Sequence, residues 1–144
     1  MSRFTATMML MSGLLAAGVL QASTVPLGAQ QAVDCDAPQA QMEMTYCAEQ
    51  AWQAADKDLN AAYARATAAM RSMDTDLPPE MKGAVKTLRE AQRAWIAYRD
   101  KACAAYGFLA RGGSMEPMLI YGCYADLTTN RTGELEQLAT GLGN

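Results

Sequence analysis

Residues 85–106 read VKTLREAQRAWIAYRDKACAAY, and this stretch decides the fold. Val85, Leu88, Gln92, Trp95, Arg99, Ala102 and Tyr106 recur at alternating spacings of three and four, the period that stacks side chains on one face of an α-helix. Neither Pro nor Gly interrupts the run. Pro79 is placed to begin this helix, with Glu80 in its first turn. Gly83 is tolerated early in it at about 1 kcal/mol, and Gly107 ends it. Upstream, Trp52, Ala55, Leu59, Tyr63, Ala66 and Met70 repeat the same spacing. Asp36 can cap that first helix, with Pro38 in its first turn and Gln39 three residues after the cap. The segment Met73-Asp74-Thr75-Asp76-Leu77-Pro78-Pro79 separates the two helices.

Downstream, the loop from Gly107 to Ser114 leads to Pro117. Leu119, Cys123, Leu127, Arg131, Leu135 and Leu138 then fall at roughly helical spacing. Thr128 can cap a fresh helix there, so the stretch reads as one helix or two. No strand-like alternation of any length is present. The expected fold is all-α: a small bundle built on an antiparallel hairpin of two long helices, with one or two shorter C-terminal helices.

The chain has 144 residues, enough for one small domain. Residues 1–29 read as a secretory signal peptide, with Arg3 in a positive start and an apolar run from Met8 to Leu20. Cleavage is expected after Ala22 or Ala29, leaving a single domain over residues 30–144 with no membrane insertion. Export to the periplasm or the medium changes the meaning of Cys35, Cys47, Cys103 and Cys123. Four cysteines in an exported domain argue for two disulfides. Three pairings are possible, and the local one, Cys35–Cys47 with Cys103–Cys123, is favoured because each pair brackets a turn or a helix start. Loops of this size contribute on the order of 3 kcal/mol each. No metal site is expected, because there is no histidine and no C-x-x-C spacing.

The sequence contains 12 Lys and Arg against 15 Asp and Glu, and no histidine. The acidic balance argues against nucleic acid as a partner. The missing histidine removes the commonest general base and both the Ser-His and Cys-His nucleophile arrangements. With no nucleophile–base pair in view, an enzyme is not expected, and no cofactor is implied. Charge is also segregated: residues 34–58 carry −5 and residues 82–111 carry +5. Pairing between neighbouring helices is the simpler explanation, although exposed pairs contribute only about 0–1 kcal/mol each.

Two groups of residues break the core pattern. Gln92, Trp95 and Arg99 form one column of the second helix, while Asp56 and Asn60 form another beside Leu59 and Tyr63. Polar groups on a core-facing stripe must be hydrogen-bonded or lie at an edge. A network joining Arg99 to Asp56 and Asn60 is the expected solution, and the same column is an alternative binding site. The second group is the loop Arg111-Gly112-Gly113-Ser114. Its glycines permit positive φ and close approach, and a Cys103–Cys123 bond would present it as a closed loop.

These pieces occur in a recognisable order: Thr45-Tyr46-Cys47-Ala48, then Asp58-Leu59-Asn60 with Tyr63, then Gln92-x-x-Trp95-x-x-x-Arg99-Asp100-x-x-Cys103. Gly112-Gly113-Ser114 and Cys123 follow, with Leu127-Thr128, Arg131 and Glu134-Leu135. From Cys35 to Leu138 the chain resembles the LprI-type lysozyme inhibitor family of exported bacterial proteins. One departure is that lipoprotein members carry a lipid-bearing cysteine, which this chain lacks. The resemblance implies a disulfide-stapled helical domain whose partner is lysozyme. C-type lysozyme is the expected class, because it is strongly cationic and the domain after signal removal is acidic. Arg111, Gly112, Gly113 and Ser114 are the candidate contact residues. A cell-envelope adaptor that binds another protein or a cell-wall fragment is the alternative.

Overall fold

The computed structural model describes residues 33–141. The expected signal segment and its cleavage positions lie outside the described residues. The described chain is all-α and contains α1 (Gln41–Asp76), α2 (Ala84–Gly107) and α3 (Glu116–Thr140). Short 3-10 turns at Pro79–Met81 and Phe108–Ala110 precede and follow α2. Both disulfides take the local pairing, Cys35–Cys47 and Cys103–Cys123, each with its Cα atoms 5.4 Å apart.

The first helix begins later than expected. Asp36 lies in a turn, with its N–H donated to Asp34 Oδ1 at 3.0 Å. The physical reason is the disulfide. Twelve residues of continuous helix would separate Cys35 from Cys47 by about 18 Å, so the chain must fold back before α1 starts. Glu43 then closes the helix start, accepting the N–H groups of Gln39 at 2.6 Å and Ala40 at 3.2 Å.

The second helix also starts later, at Ala84. Gly83 has φ 141°, a conformation that disfavours side-chain-bearing residues, so it sits at the boundary instead of inside the helix. Asp74, in the last turn of α1, supplies the cap that the local sequence lacks. Its carboxylate accepts Gly83 N–H and Ala84 N–H at 2.8 Å and Val85 N–H at 3.1 Å. The end of one helix thus satisfies the orphan donors of the next.

The third helix is a single element of 25 residues, against 24 for α2. Thr128 does not start a new helix; it is fully buried in mid-helix, and its hydroxyl has no partner among the described residues. Helix α3 packs most extensively on α1, with α2 against both. Contacts between Gln41 and Met118 near one end, and between Arg65 and Glu136 further along, show that α1 and α3 run parallel. Helix α2 is antiparallel to both. The expected hairpin is therefore completed by a third helix that lies along the first.

Three layers stack along the bundle. At the end where α2 begins, Leu59, Ala62, Ala66, Leu88 and Leu135 form the buried core, flanked by Tyr63, Met70, Trp95 and Ala139. Ala62 and Ala66 are fully buried and let the helices approach closely. Aromatic rings surround Arg99 in the middle. Both disulfides lie towards the other end, where Gly107 touches α3. A Cβ at Gly107 would stand 2.7 Å from Ile120 Cγ1 and 2.9 Å from its Cδ1.

Two outcomes follow from these contacts. Gly107→Ala is expected to lower stability by about 1–2 kcal/mol, the overpacking cost less the helix-propensity gain of alanine. In an Ile120→Ala background the same change should become neutral or stabilising, which a urea double-mutant cycle measures. For Asp74, the N–H groups of Gly83, Val85 and Ala84 hold the carboxyl below its ordinary value of 3.8. A lowered folded value means stability that is present above the ordinary value and lost as pH falls through the folded one. Asp74→Asn should flatten the acid limb of the stability curve below about pH 4. Glu116 and Glu136, also lowered, supply the slope that remains.

Candidate functional site

Two regions carry the residues singled out from sequence. The first is a cleft between α1 and α2 of about 300 Å³, lined by Asp56, Leu59, Asn60, Tyr63, Arg89, Gln92, Arg93, Ile96 and Arg99. Helical spacing brings the two polar columns together across this cleft. Asn60 Nδ2 donates to Asp56 Oδ2 at 3.0 Å, and Arg99 Nη1 stands 3.9 Å from Asp56 Oδ1. Arg99, Asp56 and Asn60 are thus brought together, with the Arg99–Asp56 step an ion-pair contact and not a hydrogen bond. The closer bonds of Arg99 go to Asp100 Oδ1, from Nε at 3.0 Å and Nη2 at 2.9 Å.

Trp95 does not line the cleft. It packs against the core and lies beneath Arg99, whose guanidinium carbon is 5.2 Å from the ring centre. The same carbon is 5.1 Å from the Tyr124 ring and 6.0 Å from the Trp52 ring. Trp52 in turn stacks on Tyr121 and meets Tyr124 at centroid distances of 5.7 and 5.1 Å. One aromatic ring from each helix therefore surrounds this guanidinium, whose side chain is only 11% exposed. A planar, weakly hydrated cation suits such a site better than an ammonium would.

Gln92 pairs with α3 and does not join the link from Arg99 to Asp56. Its Oε1 accepts Arg131 Nε at 3.1 Å, and Arg131 Nη1 also reaches Glu134 at 2.6 Å. Sequence reasoning named Trp52, Asp100 and Arg131 without giving them a place in this network, and it missed Tyr124. The signal for Arg131 was available: like Arg99, it is an arginine on an apolar helical stripe.

The segregated charges mostly do not neutralise each other. Among the described residues, Arg99–Asp56 is the one ion pair joining the acidic segment 34–58 to the basic segment 82–111. The others join neighbours in sequence or, for Arg65–Glu136, α1 to α3. The expected explanation by pairing is corrected accordingly. Lys86, Arg89, Arg93 and Lys101 of α2 are exposed and form no ion pair with α1 among the described residues.

The second region is the loop at the disulfide-bearing end. Arg111, Gly112, Gly113 and Ser114 are all exposed. The loop is nevertheless tied to α3: Glu116 accepts Arg111 Nη1 at 2.5 Å and Gly112 N–H at 2.8 Å, and Gly113 N–H bonds Ala110 O at 2.9 Å. Gly112 N–H, with Arg111, holds the Glu116 carboxyl below its usual range. Gly112 takes φ 77°, the left-handed region its sequence position suggested. The Arg111 guanidinium lies 4.7 Å from the Phe108 ring centre. Ser114 borders two concavities, one with Phe108, Leu109 and Met115, the other with Met42, Tyr46 and Pro117. Phe108, Leu109 and Met42 are 63%, 74% and 81% exposed.

Among the described residues, no group of three or more Cys, Asp or Glu converges as a metal site, and no helix is long and apolar enough to cross a membrane. A family model described as Lysozyme inhibitor LprI matches residues 35–135. An uncharacterised protein of Rhizobium meliloti (strain 1021) is 46% identical over 133 residues, covering 90% of this chain and 96% of that protein. No solved structure matches the chain.

Arg99 should dominate the stability of the central layer. Arg99→Ala is expected to cost about 2–3 kcal/mol, and Arg99→Lys should recover less than half of that, because an ammonium loses the two bonds to Asp100 and the flat contact with the rings. Urea unfolding followed by the fluorescence of Trp52 and Trp95, which both border this cation, reads the difference directly.

Proposed function

Because the chain belongs to the LprI lysozyme inhibitor family, we propose that it is exported, binds c-type lysozyme and blocks the muramidase cleft with the loop end of the bundle. The observation that carries this reading is the pair of concavities meeting at Ser114, bordered by Phe108, Leu109, Met115, Met42 and Tyr46. Exposed apolar side chains grouped on a monomer's surface mark interaction sites. Their grouping beside a loop held by hydrogen bonds and the Cys103–Cys123 staple supports docking with little ordering cost.

The chemistry of the target fits this end. A glycosidase cleft presents two carboxyl groups around the scissile bond, and an inhibitor satisfies them with a donor. Ser114 is the donor that the loop leaves uncommitted among the described residues. Arg111 is already engaged by Glu116 and Phe108, so its role here is to shape the loop, with its charge turned towards the partner when it docks. The unpaired acidic residues of α1 favour encounter with a cationic enzyme, an effect on association rate more than on final affinity. Two disulfides in a domain with so small a core support an oxidising compartment.

A lysis assay with the oxidised protein against c-, g- and i-type lysozymes tests the proposal. Inhibition of the c-type enzyme is expected, weakening between low and moderate salt. Leu109→Asp combined with Ser114→Ala should weaken inhibition by about thirtyfold, the effect of losing a central interface contact, with helix content unchanged. Unaltered inhibition by that folded variant would move the contact surface away from the loop.

A further inference from the structure

The cleft between α1 and α2 is lined by two arginines, Arg89 and Arg93, that take no part in the fold's own polar contacts among the described residues. We infer that it is a binding site for a small carboxylate-bearing sugar, separate from the loop and from lysozyme recognition. Arg89, Gln92, Arg93, Ile96 and Arg99 follow one another along α2 at spacings that keep them on one side, spanning about 15 Å of helix. Arg89 and Arg93 are exposed and form no ion pair or side-chain hydrogen bond among the described residues. Two uncommitted guanidiniums, with the aromatic-bound Arg99 beside them, make the α2 wall cationic.

The polar group that stands out is Gln92. Its side chain lies in a residue that is only 9% exposed, and its Oε1 is committed to Arg131. With Oε1 so held, the Nε2 donor forms no hydrogen bond among the described residues, and Gln92 is one of the residues that line the cleft. The buried unpartnered polar atoms among the described residues are Trp52 Nε1 and Thr128 Oγ1, so water reaches Gln92 Nε2, and a ligand hydroxyl can take that water's place. On the opposite wall, Asp56 offers acceptor oxygens beside Asn60 and Tyr63.

This donor and acceptor set selects among ligands. Guanidiniums recognise carboxylate or phosphate in the plane of their N–H groups. Asp56 in the same small cleft repels a doubly charged phosphate. A sugar hydroxyl both donates and accepts, and so uses Asp56 and the Gln92 and Asn60 amides together. A peptide main chain has no comparable match, because the backbone groups of both helical walls are consumed within the helices. Ile96, 40% exposed, supplies an apolar contact for the ring face. A volume of about 300 Å³ lies at the lower end for small-ligand pockets, which suits one sugar unit.

The test is titration of the oxidised protein, followed by NMR of the Asn60 and Gln92 side-chain amides, at low salt and without lysozyme present. N-acetylmuramic acid, a sugar with a carboxylate on an ether arm, is expected to give saturable shifts. N-acetylglucosamine, the same ring without that arm, and N-acetylglutamate, a carboxylate without the ring, should each bind at least about tenfold more weakly. Arg89→Gln with Arg93→Gln should weaken the sugar acid by about tenfold or more while leaving the fold intact, since neither side chain has a structural partner. Absence of saturable binding, equal binding of either control, or indifference to the double variant each overturns the inference. Because the readout involves no lysozyme, it is independent of whether the loop inhibits that enzyme.

Discussion

A guanidinium held almost out of water between three helices is the constraint around which the remainder of this bundle is arranged. Removing such a charge from solvent costs several kcal/mol unless other groups compensate. Here the compensation comes from every direction: Asp100 binds two of its nitrogens, Asp56 stands at ion-pair distance, and the rings of Trp52, Trp95 and Tyr124 face its carbon. Because those partners belong to α1, α2 and α3, Arg99 finds them all only when the three helices are in one register. A purely apolar layer would tolerate sliding by a turn, whereas this one leaves a charge unpaired if it slides. The specificity of the central layer thus resides in a polar residue, and the neighbouring alanines supply closeness without direction.

Much of this was readable from the chain. The spacing from Val85 to Tyr106 places α2, and the misfit of Gln92 and Arg99 on its apolar stripe marks the cleft. What the sequence concealed has a common physical origin in contacts that are distant along the chain. Asp36 has every local attribute of a helix cap, but the Cys35–Cys47 bond forbids a helix there, and Glu43 closes the start instead. Asp74 has none of the local attributes of a cap for α2 because it lies nine to eleven residues away from the N–H groups it serves. Thr128 suggests a helix start by residue type, yet packing against α1 carries the helix straight through it. The long-range pairing of α3 with α1 likewise has no signature in periodicity, which reports that a face is buried and not what buries it.

Charge segregation is a related case. Opposite charges on consecutive helices suggest mutual neutralisation, but the seams here are filled mainly by alanine, leucine and aromatic residues. Among the described residues, Asp56–Arg99 is the one ion pair that joins α1 to α2. The remaining acids and bases persist as two solvated fields of opposite sign.

The distribution of stabilising interactions explains how the loop end can be apolar and exposed together. The buried leucines and alanines lie near the start of α2 and the ends of α1 and α3, whereas Cys35–Cys47 and Cys103–Cys123 lie towards the opposite end. A small domain cannot supply enough apolar burial along its whole length. If the loop end depended on hydrophobic burial, Phe108, Leu109, Met115 and Met42 would have to turn inward, and no surface would remain for a partner. Covalent closure removes that requirement: the staples limit the unfolded ensemble without consuming apolar side chains. The internal bonds of the loop through Glu116 then hold its backbone in place. An apolar surface that the fold does not need for itself is available for association, and its rigidity means that little of the association free energy is spent on ordering it.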